Sequence, residues 1–509
     1  MKKLICFVVV LCITTFSALA QEKYAVLIIG DCADRGNHDP AIRYVEPLPY
    51  WVDTITTQPE GYVMDTEGNV EISSSDGLVW LISAVNGLNG CEPDDFDGRT
   101  VRLANDIDFG EIGYDYTFSP IGTRETPFLG TFDGNGHKIQ HLRQRYSRYD
   151  SIDNYYFDMG VFGYIRHATV RNTTLEATCK ISSTCEYPGY YRGGMVGFAD
   201  SLSIVDNILI HKGISYGYGG TFVGMNRNST VRNCAFLGVV DGHEYWGAPL
   251  VEGGGIVSYN LSEGGYADAV VENCYFYGRI DQSLNRKKLG GIVCFNETVP
   301  NDNGKEAIVR NCHCTPTSDF DAGYYGTFAA ILSAESSIRN CYADFTRMYQ
   351  FTNMVGLNEG GEMKDCSSYI NIDGVGTLAN PVTLNGTTTT NLVDALNLWI
   401  AEQDHPELYR TWTMLTDTIP VFGSYYIGVP ENPTTPNEVT VCPNPASERF
   451  VIQGVDAELT QVFNVFGQLV KTVQNTNEIS AEGLSNGIYL LRIASSQGKT
   501  YSIRVVVEQ

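Results

Sequence analysis

The chain has 509 residues, of which 43% are hydrophobic, which is enough for two or more domains with cores of their own. Its formal net charge of −25 argues against nucleic acid and anionic membranes as partners and favours solubility. The 14 cysteines are too sparse for a disulfide-rich scaffold, so their placement must decide their role.

The first segment has the organisation of a secretory signal peptide. Two lysines precede an apolar run at 4–16, and small residues at 17–20 suit cleavage by a signal peptidase. The run is shorter than the ~18 residues that a membrane span requires. We therefore interpret 1–20 as a cleaved signal and expect no membrane span in the mature protein.

An N-terminal cap is predicted ahead of the repeats. Residues 21–70 are expected to form a strand-rich extension, and 71–142 a cap helix followed by the first strands. The segment 75–85 has apolar residues at helical spacing, and Asn86-Gly87 would end the helix. Such a helix would cover the first edge of stacked strands, which would otherwise invite aggregation.

Two short phrases alternate through 143–390. The first is Gly-rich and apolar, as in GGGIV at 253–257, and the second is β-branched with Asn, as in VRNC at 231–234. The second phrase places Asn or Asp at 172, 207, 233, 273, 311, 340 and 365, in steps of 25 to 40 residues. One unit cannot bury its own apolar face, whereas units whose strands pair in parallel at ~4.8 Å can. The repeat predicts an all-β fold, a right-handed parallel β-helix over 143–390 with a short helical cap at each end.

Stacking would align the Asn-Cys phrase into two columns. Asn tolerates the left-handed turn conformation, and its amide can bond to the units on either side, while Cys would face inward as a small apolar residue. Zinc needs about four converging ligands, which a column spreads along a line, so we expect no metal site. A mostly reduced column and disulfides between neighbouring units remain alternatives. The predicted ladder residues are Asn233, Cys234, Asn273, Cys274, Asn311, Cys312, Asn340, Cys341 and Cys366.

Two further cysteine motifs lead to predictions of their own. Cys179 and Cys185 bracket a hairpin-like segment and are predicted as a local disulfide. In Cys312-His313-Cys314, strand alternation sends the histidine to the face opposite the two thiols.

Aromatic residues recur just ahead of the Gly-rich phrases, in loops that stacking would bring to one lateral edge. Flat rings with hydroxyl groups suit sugar rings or a protein partner. The alternative is that these rings pack on one another and brace the loops. The candidates for ligand contact are Tyr155, Tyr156, Tyr190, Tyr191, Tyr216, Tyr218, Tyr245, Trp246, Tyr324 and Tyr325.

Catalysis would require groups that converge on one face. Asp241, His243 and Glu244 form the strongest polar cluster within the repeats, and 286–288 is the basic run. Neither is matched by a complementary group one unit away. An enzyme acting on polysaccharides at Asp241, His243 and Glu244 is therefore the second hypothesis, and no cofactor is indicated.

The C-terminal part is predicted as a cap, a linker and an appended module. Asn391, three residues before an acid, opens a helix, so 391–428 is interpreted as a capping helix and strand. The Pro-rich segment 429–437 is a linker, and 438–509 contains strand segments of a small β-sandwich.

Sequence motifs in two parts of the chain resemble known families. SSSDGLVWLISAVNGLNG, FDGRTVRLANDIDF, PIGTRETPFLGTFDGNGHKI and GVFGYI resemble secreted bacterial β-helix proteins with GLUG-type repeats. CPNPASERFVI, VFNVFGQLV, LSNGIYLLRI and KTYSIRVVV resemble the type A sorting domain of type IX secretion, with Cys442 at a position that is usually aromatic. The second resemblance implies that the type IX machinery exports the chain through the outer membrane, removes 438–509, and leaves the protein attached to the cell surface or released.

The sequence thus favours a non-enzymatic, exported protein that serves in adhesion or in binding a glycan or a host or cell-surface protein. A carbohydrate-active enzyme and a purely structural surface component are the alternatives. The ligand and the oligomeric state are left open.

Overall fold

The structure is a computed structural model that describes residues 48–110, 113, 115–146, 158–183, 191–216, 222–241, 251–281, 287–300, 303–317, 324–344, 353–368, 377–384, 387–416, 419–422, 440–442, 446–464, 469–484, 487–495 and 500–507. All of these residues belong to one unit of the chain, Tyr44–Gln509. Most of them lie in β-strands, and the described part contains two α-helices. The predicted signal at 1–20 and the linker at 429–437 lie outside the described residues.

The N-terminal region contains a single α-helix among short strands. A 3₁₀ helix at Trp51–Thr54 precedes β1 (Tyr62–Met64), β2 (Val70–Ile72), α1 (Ser75–Asn86), β3 (Thr100–Leu103), β4 (Ile107–Asp108), β5 (Thr131–Asp133), β6 (Lys138–Gln140) and β7 (Arg143–Tyr146).

Helix α1 is the helix predicted at 75–85, and its ends have identifiable caps. The Ser74 side chain accepts a hydrogen bond from the Gly77 amide, and Gly87 ends the helix in the left-handed conformation at φ 70°. Every residue from Gly77 to Val85 is buried. Trp51 packs edge-on against Phe109 and belongs to the same core cluster as α1, so the described part of the predicted extension contributes to this core.

The repeat region supplies most of the strands. They are β8 (Phe162–Arg166), β9 (Thr169–Leu175), β10 (Lys180–Ser183), β11 (Val196–Asp200), β12 (Ile204–Tyr216), β13 (Val223–Arg227), β14 (Thr230–Arg232), β15 (Ala235–Asp241), β16 (Val251–Gly254), β17 (Val257–Ser262), β18 (Ala269–Glu272), β19 (Tyr275–Asp281), β20 (Lys287–Gly290), β21 (Val293–Thr298), β22 (Ala307–Arg310), β23 (His313–Thr317), β24 (Tyr324–Gly326), β25 (Ala329–Ser333), β26 (Ser337–Arg339), β27 (Tyr342–Ala343), β28 (Val355–Glu359), β29 (Glu362–Lys364) and β30 (Ser367–Ser368).

Successive units pair through large parallel sheets. One sheet has the order β28-β25-β21-β17-β13-β11-β8, in which each neighbour comes from the next unit. A three-stranded parallel sheet has the order β16-β20-β24. The 18-stranded sheet contains two further parallel runs, β12-β14-β18-β22-β26-β29 and β12-β15-β19-β23-β27-β30. The stacking of units in parallel register, inferred from the repeat, is therefore present.

The Gly-rich phrases are explained by close approach of the backbone. Gly254, Gly290 and Gly326 lie in register with one another in the three-stranded sheet. A Cβ atom at any of the three would overlap the carbonyl oxygen of the residue three positions further along the chain. Glycine is therefore required for steric reasons where each unit turns from one sheet to the next.

After the repeats, the chain forms a helix between two antiparallel hairpins. These elements are β31 (Thr377–Leu384), β32 (Thr387–Asn391), α2 (Leu392–Ala401), a 3₁₀ helix at Pro406–Leu408, β33 (Trp412–Thr416) and β34 (Ile419–Phe422). Asn391 caps α2, because its side chain accepts a hydrogen bond of 3.0 Å from the Asp394 amide, as the sequence predicts.

The C-terminal module is antiparallel and has its own hydrophobic core. Its strands are β35 (Thr440–Cys442), β36 (Arg449–Gln453), β37 (Ala457–Asn464), β38 (Leu469–Gln474), β39 (Glu478–Ser480), β40 (Gly487–Ser495) and β41 (Thr500–Val507). They form one sheet in the order β35-β36-β39 and another in the order β38-β37-β40-β41. Phe450, Val462, Leu491 and Val505 are buried in its core.

Candidate binding face

An outer row of apolar residues runs across the seven-stranded sheet. One residue of each strand is aligned with the next by the pairing register, and these residues pack in clusters separate from the main core. Tyr259 stacks on Phe295 with ring centroids 4.6 Å apart and an interplanar angle of 6°. The members of the row are Tyr164, Phe198, Met225, Tyr259, Phe295, Ile331 and Leu357.

Acid–base pairs flank this row. Arg227 donates two hydrogen bonds of 2.9 Å to the Asp200 carboxylate, and its guanidinium lies 4.9 Å from the Phe198 ring centroid. Arg124 donates to Asp158 in the same bidentate manner, at 2.8 and 2.9 Å. The two carboxylates are buried while the guanidinium groups are partly exposed, so the paired cations cover the aromatic row.

Burial and pairing act in opposite directions on these carboxylates. Burial alone would raise the pKa of Asp200, but hydrogen bonds from Arg227 and Tyr164 outweigh it and lower the pKa. Burial dominates at Asp158 and raises its pKa despite the bonds from Arg124. Asp200 is therefore held in its ionised form by its neighbours.

A third pair joins two strands of the small parallel sheet to the row. The Lys288 ammonium lies 3.1 Å from Glu252 and 4.7 Å from the Phe295 ring centroid, and the Tyr259 hydroxyl donates to the other oxygen of Glu252. The expectation that the basic run at 286–288 has no complementary group one unit away is therefore wrong for Lys288. Its partner is 36 residues earlier, a separation that gives no local sequence signal.

Glu297 differs from these acids, because its half-buried carboxylate has no hydrogen-bond or ion-pair partner among the described residues. Burial raises its pKa, the charges of Glu359 and Glu252 add to the effect, and Lys288 opposes it.

Three of the predicted aromatic contacts have described side chains. Tyr191 is half-buried and packs edge-on against Phe198 and Tyr259, at 5.3 and 5.6 Å between centroids. Tyr324 is 49% exposed and lies in register with Lys288, whereas Tyr325 is buried in the main core. Tyr325 is therefore not available to a ligand, because strand alternation turns it away from the face that Tyr324 occupies.

The remaining predicted site residues have no described side chains. Tyr216 and Asp241 end β12 and β15, of which only the backbone is described. The others lie outside the described residues and are Tyr155, Tyr156, Tyr190, Tyr218, Tyr245, Trp246, His243 and Glu244.

The Asn column forms a continuous ladder of side-chain amides. Asn273 donates to Asn233, Asn311 to Asn273, and Asn340 to Asn311, at 3.3, 2.8 and 3.0 Å between nitrogen and oxygen. All four residues are in the left-handed conformation, with φ between 48° and 55°. We call these four residues the Asn ladder.

The cysteines beside the Asn ladder are free thiols. Cys234, Cys274, Cys312 and Cys341 are buried, and Cys366 is half-buried. Each thiol donates to the carbonyl oxygen two residues earlier, at 3.1 to 3.3 Å, and burial raises the pKa of the four buried thiols. The described column contains no disulfide between units.

Cys179 has no disulfide partner among the described residues, and its predicted pairing with Cys185 stays a prediction. The Cys179 sulfur donates to the Ile139 carbonyl oxygen at 3.1 Å, which directs it toward the neighbouring unit. Cys185 lies outside the described residues.

A second amide ladder inside the repeat was not predicted. The fully buried Asn226 donates to Asn260, and Asn260 to Asn296, at 2.7 Å in each case. The signal in the sequence is a recurrent Asn three residues after a valine, as in VGMN, VSYN and VCFN. We call Asn226, Asn260 and Asn296 the inner ladder.

His313 is buried between the Tyr275, Tyr342 and Trp412 rings, at centroid distances of 4.7, 5.4 and 5.8 Å. Burial lowers its pKa to about 3, so the ring is neutral. It lies in an aromatic cluster, covered by residues of β33. No group of three or more His, Cys, Asp or Glu side chains that could hold a metal ion occurs in the described part of the chain.

Comparison with known proteins identifies the C-terminal module. Residues 440–508 match the model of the secretion system C-terminal sorting domain. No curated protein matches the chain. Among solved structures, a protein from Bacteroides ovatus provisionally assigned as an immunoglobulin A1 protease is 16% identical, with a TM-score of 0.43, over 71% of this chain and 94% of its own.

None of the helices in the described ranges is long and apolar enough to cross a membrane. The sorting domain indicates that the chain is exported through the outer membrane by type IX secretion, to the cell surface or the extracellular space.

Proposed function

We propose that this chain is a non-enzymatic surface or secreted protein that binds a glycan or a protein partner in adhesion. In this proposal the parallel sheets are the faces of a right-handed β-helix of GLUG-type units, which carries the binding face outward. Support for the helical path comes from the unit order, which is the same in the seven-stranded sheet and in the three-stranded sheet.

The observation that carries the proposal is the surface around Tyr324. This exposed ring lies in register with Lys288. The charges of Lys288 and Glu252 both act on the half-buried Glu297, which has no hydrogen-bond or ion-pair partner among the described residues. An exposed aromatic ring beside groups that donate and accept hydrogen bonds is the usual composition of a sugar- or protein-binding surface. Lys288 connects this surface to the outer row, because its ammonium lies 4.7 Å from the Phe295 ring centroid.

A glycan-array measurement on the secreted protein tests the proposal. Tyr324→Ala should reduce binding to the recognised glycan by about tenfold or more, the usual effect of losing an aromatic anchor. The matched control is Tyr266→Ala, because Tyr266 is 83% exposed and is not part of the outer row. Equal binding by wild type and the Tyr324 variant would reject this surface as the site.

A polysaccharide-acting enzyme is the second candidate, and Glu297 favours it. Its raised pKa, next to Glu252 that is paired with Lys288, resembles the two unlike carboxyl environments that glycoside hydrolysis uses. Release of reducing ends or unsaturated products by wild type, abolished in Glu297→Gln, would replace the binding proposal with the enzymatic one. The absence of both binding and turnover would favour a structural surface component.

A further inference from the structure

We infer that residues 396–412 form a clasp that closes over the Asn ladder after the units have stacked, and that its closure locks the register of those units. The segment joins α2 to β33 and was predicted as an end cap. Its hydrogen bonds run along the ladder and involve all four ladder residues. The geometry therefore assigns the clasp a role in holding the stack along its side.

The ladder amides are satisfied by the clasp backbone. Asn340, Asn273 and Asn311 each donate to a clasp carbonyl oxygen. The acceptors are Leu396, Leu408 and Arg410, at 3.2, 2.8 and 2.9 Å respectively.

Two clasp side chains return hydrogen bonds to the ladder. The Arg410 guanidinium donates to the Asn233 oxygen at 3.1 Å, and the Trp412 indole N–H donates to the Asn311 oxygen at 2.7 Å. Each of the four residues of the Asn ladder therefore bonds to the clasp as well as to its neighbour in the ladder.

The clasp also buries apolar surface against the same strands. Trp399 and Trp412 are buried in one cluster with Tyr342 of the repeat. The Arg310 guanidinium lies 5.2 Å from the Tyr409 ring centroid. Opening of the clasp would expose two tryptophans and a row of amide groups, which makes the closed form strongly preferred.

The order of closure follows from chain separation. Bonds within the ladder join residues 29 to 40 positions apart, whereas bonds from the clasp to the ladder join residues 56 to 177 apart. The most distant bond, from Arg410 to Asn233, joins residues 177 positions apart in the chain. Closing a longer loop costs more conformational entropy, and this cost comes before the contacts form. The clasp should therefore close last and open first.

The hydrogen bonds between the clasp and the Asn ladder explain how the closed clasp fixes the register of the units. The clasp holds three carbonyl acceptors and two side-chain donors at fixed positions, and together they meet all four residues of the Asn ladder. Displacement of one unit relative to the next would leave several buried polar groups without partners at once. The closed clasp therefore selects the single register in which four asparagines are aligned.

Hydrogen exchange with mass spectrometry on the full chain, at increasing denaturant, tests this inference. In wild type, clasp amides such as those of Gln403 and Leu408 should exchange at lower denaturant concentrations than the amides of β18 and β22, the strands that directly precede Asn273 and Asn311. If clasp and ladder amides exchange together at every denaturant concentration, the clasp is not a separate closing element and the inference is overturned.

A conservative substitution tests the lock without removing the apolar contact. Trp412→Phe deletes the indole N–H, and exchange at β22 and β26 should rise by about tenfold, the equivalent of one buried hydrogen bond. Trp51→Phe is the matched control, because Trp51 is buried against Phe109 and Tyr116 of the N-terminal region. If both variants raise exchange at β22 and β26 equally, the clasp does not hold the ladder.

Discussion

Replacement of Asn311 gives the sharpest test of the energetics of the Asn ladder. Its side chain is fully buried and makes four hydrogen bonds, two as donor to Asn273 and Arg410 and two as acceptor from Asn340 and Trp412. In Asn311→Ala, the Trp412 indole N–H and the Arg410 carbonyl lose these partners. The buried indole N–H without its acceptor costs about 2 kcal/mol, loss of the other three hydrogen bonds costs about 2 kcal/mol together, and a non-glycine residue at φ 48° adds about 1 kcal/mol.

We therefore expect Asn311→Ala to lower the free energy of unfolding by about 5 kcal/mol, and Asn311→Gly to lower it by about 4 kcal/mol. The assay is urea unfolding followed by circular dichroism and tryptophan fluorescence, with the two signals compared because a stack of repeats can unfold in steps. A loss below about 1.5 kcal/mol for both variants would refute the assignment of these bonds as stabilising. If the glycine variant is less stable than the alanine variant, the assignment of about 1 kcal/mol to backbone strain at this position is wrong.

Three further outcomes follow from buried groups. The pKa of His313 is lowered to about 3, so between pH 6.5 and pH 4 this histidine binds a proton in the unfolded protein but not in the folded protein. The free energy of unfolding should therefore fall by about 3 kcal/mol from pH 6.5 to 4. In His313→Phe, urea unfolding at the two pH values should show a fall that is smaller by this amount. A native-state labelling experiment with iodoacetamide and mass spectrometry should modify the half-buried Cys366 and spare the fully buried Cys274, and equal labelling would contradict the packing. Gly290→Ala should lower the free energy of unfolding, measured by thermal unfolding, by more than about 2 kcal/mol, because the added Cβ would overlap the Val293 carbonyl oxygen. Gly304→Ala is the control: no described atom lies within 4 Å of its added Cβ, so it should cost only about 1 kcal/mol of backbone strain.

Much of the architecture could be predicted because each unit repeats the same local requirement. Asn at the turn adopts φ values that few residues tolerate, and Gly stands where a Cβ would overlap a carbonyl group. Both demands concern single positions, so they recur visibly at Asn233, Asn273 and Gly290. The capped helices α1 and α2 were predictable for the same reason, since a cap is a local feature.

The candidate face was harder to predict, because its pairs form across units. Arg227 meets Asp200 and Lys288 meets Glu252 over 27 and 36 residues, separations that depend on the length of the intervening loops. The clasp illustrates the extreme case, since Trp412 reaches Asn311 over 101 residues. Neither periodicity nor composition encodes such contacts, which arise only from the register of the folded stack.

The two amide ladders have opposite polarity along the stack. Each amide of the Asn ladder donates toward the preceding unit, as Asn340 does to Asn311, whereas each amide of the inner ladder donates toward the following unit, as Asn226 does to Asn260. Backbone carbonyl groups that accept from the same nitrogen atoms fix both directions. Aligned amide chains polarise one another, so a single ladder would accumulate a dipole with every added unit. Two antiparallel dipoles oppose each other, so the stack can lengthen unit by unit with little net field at its ends.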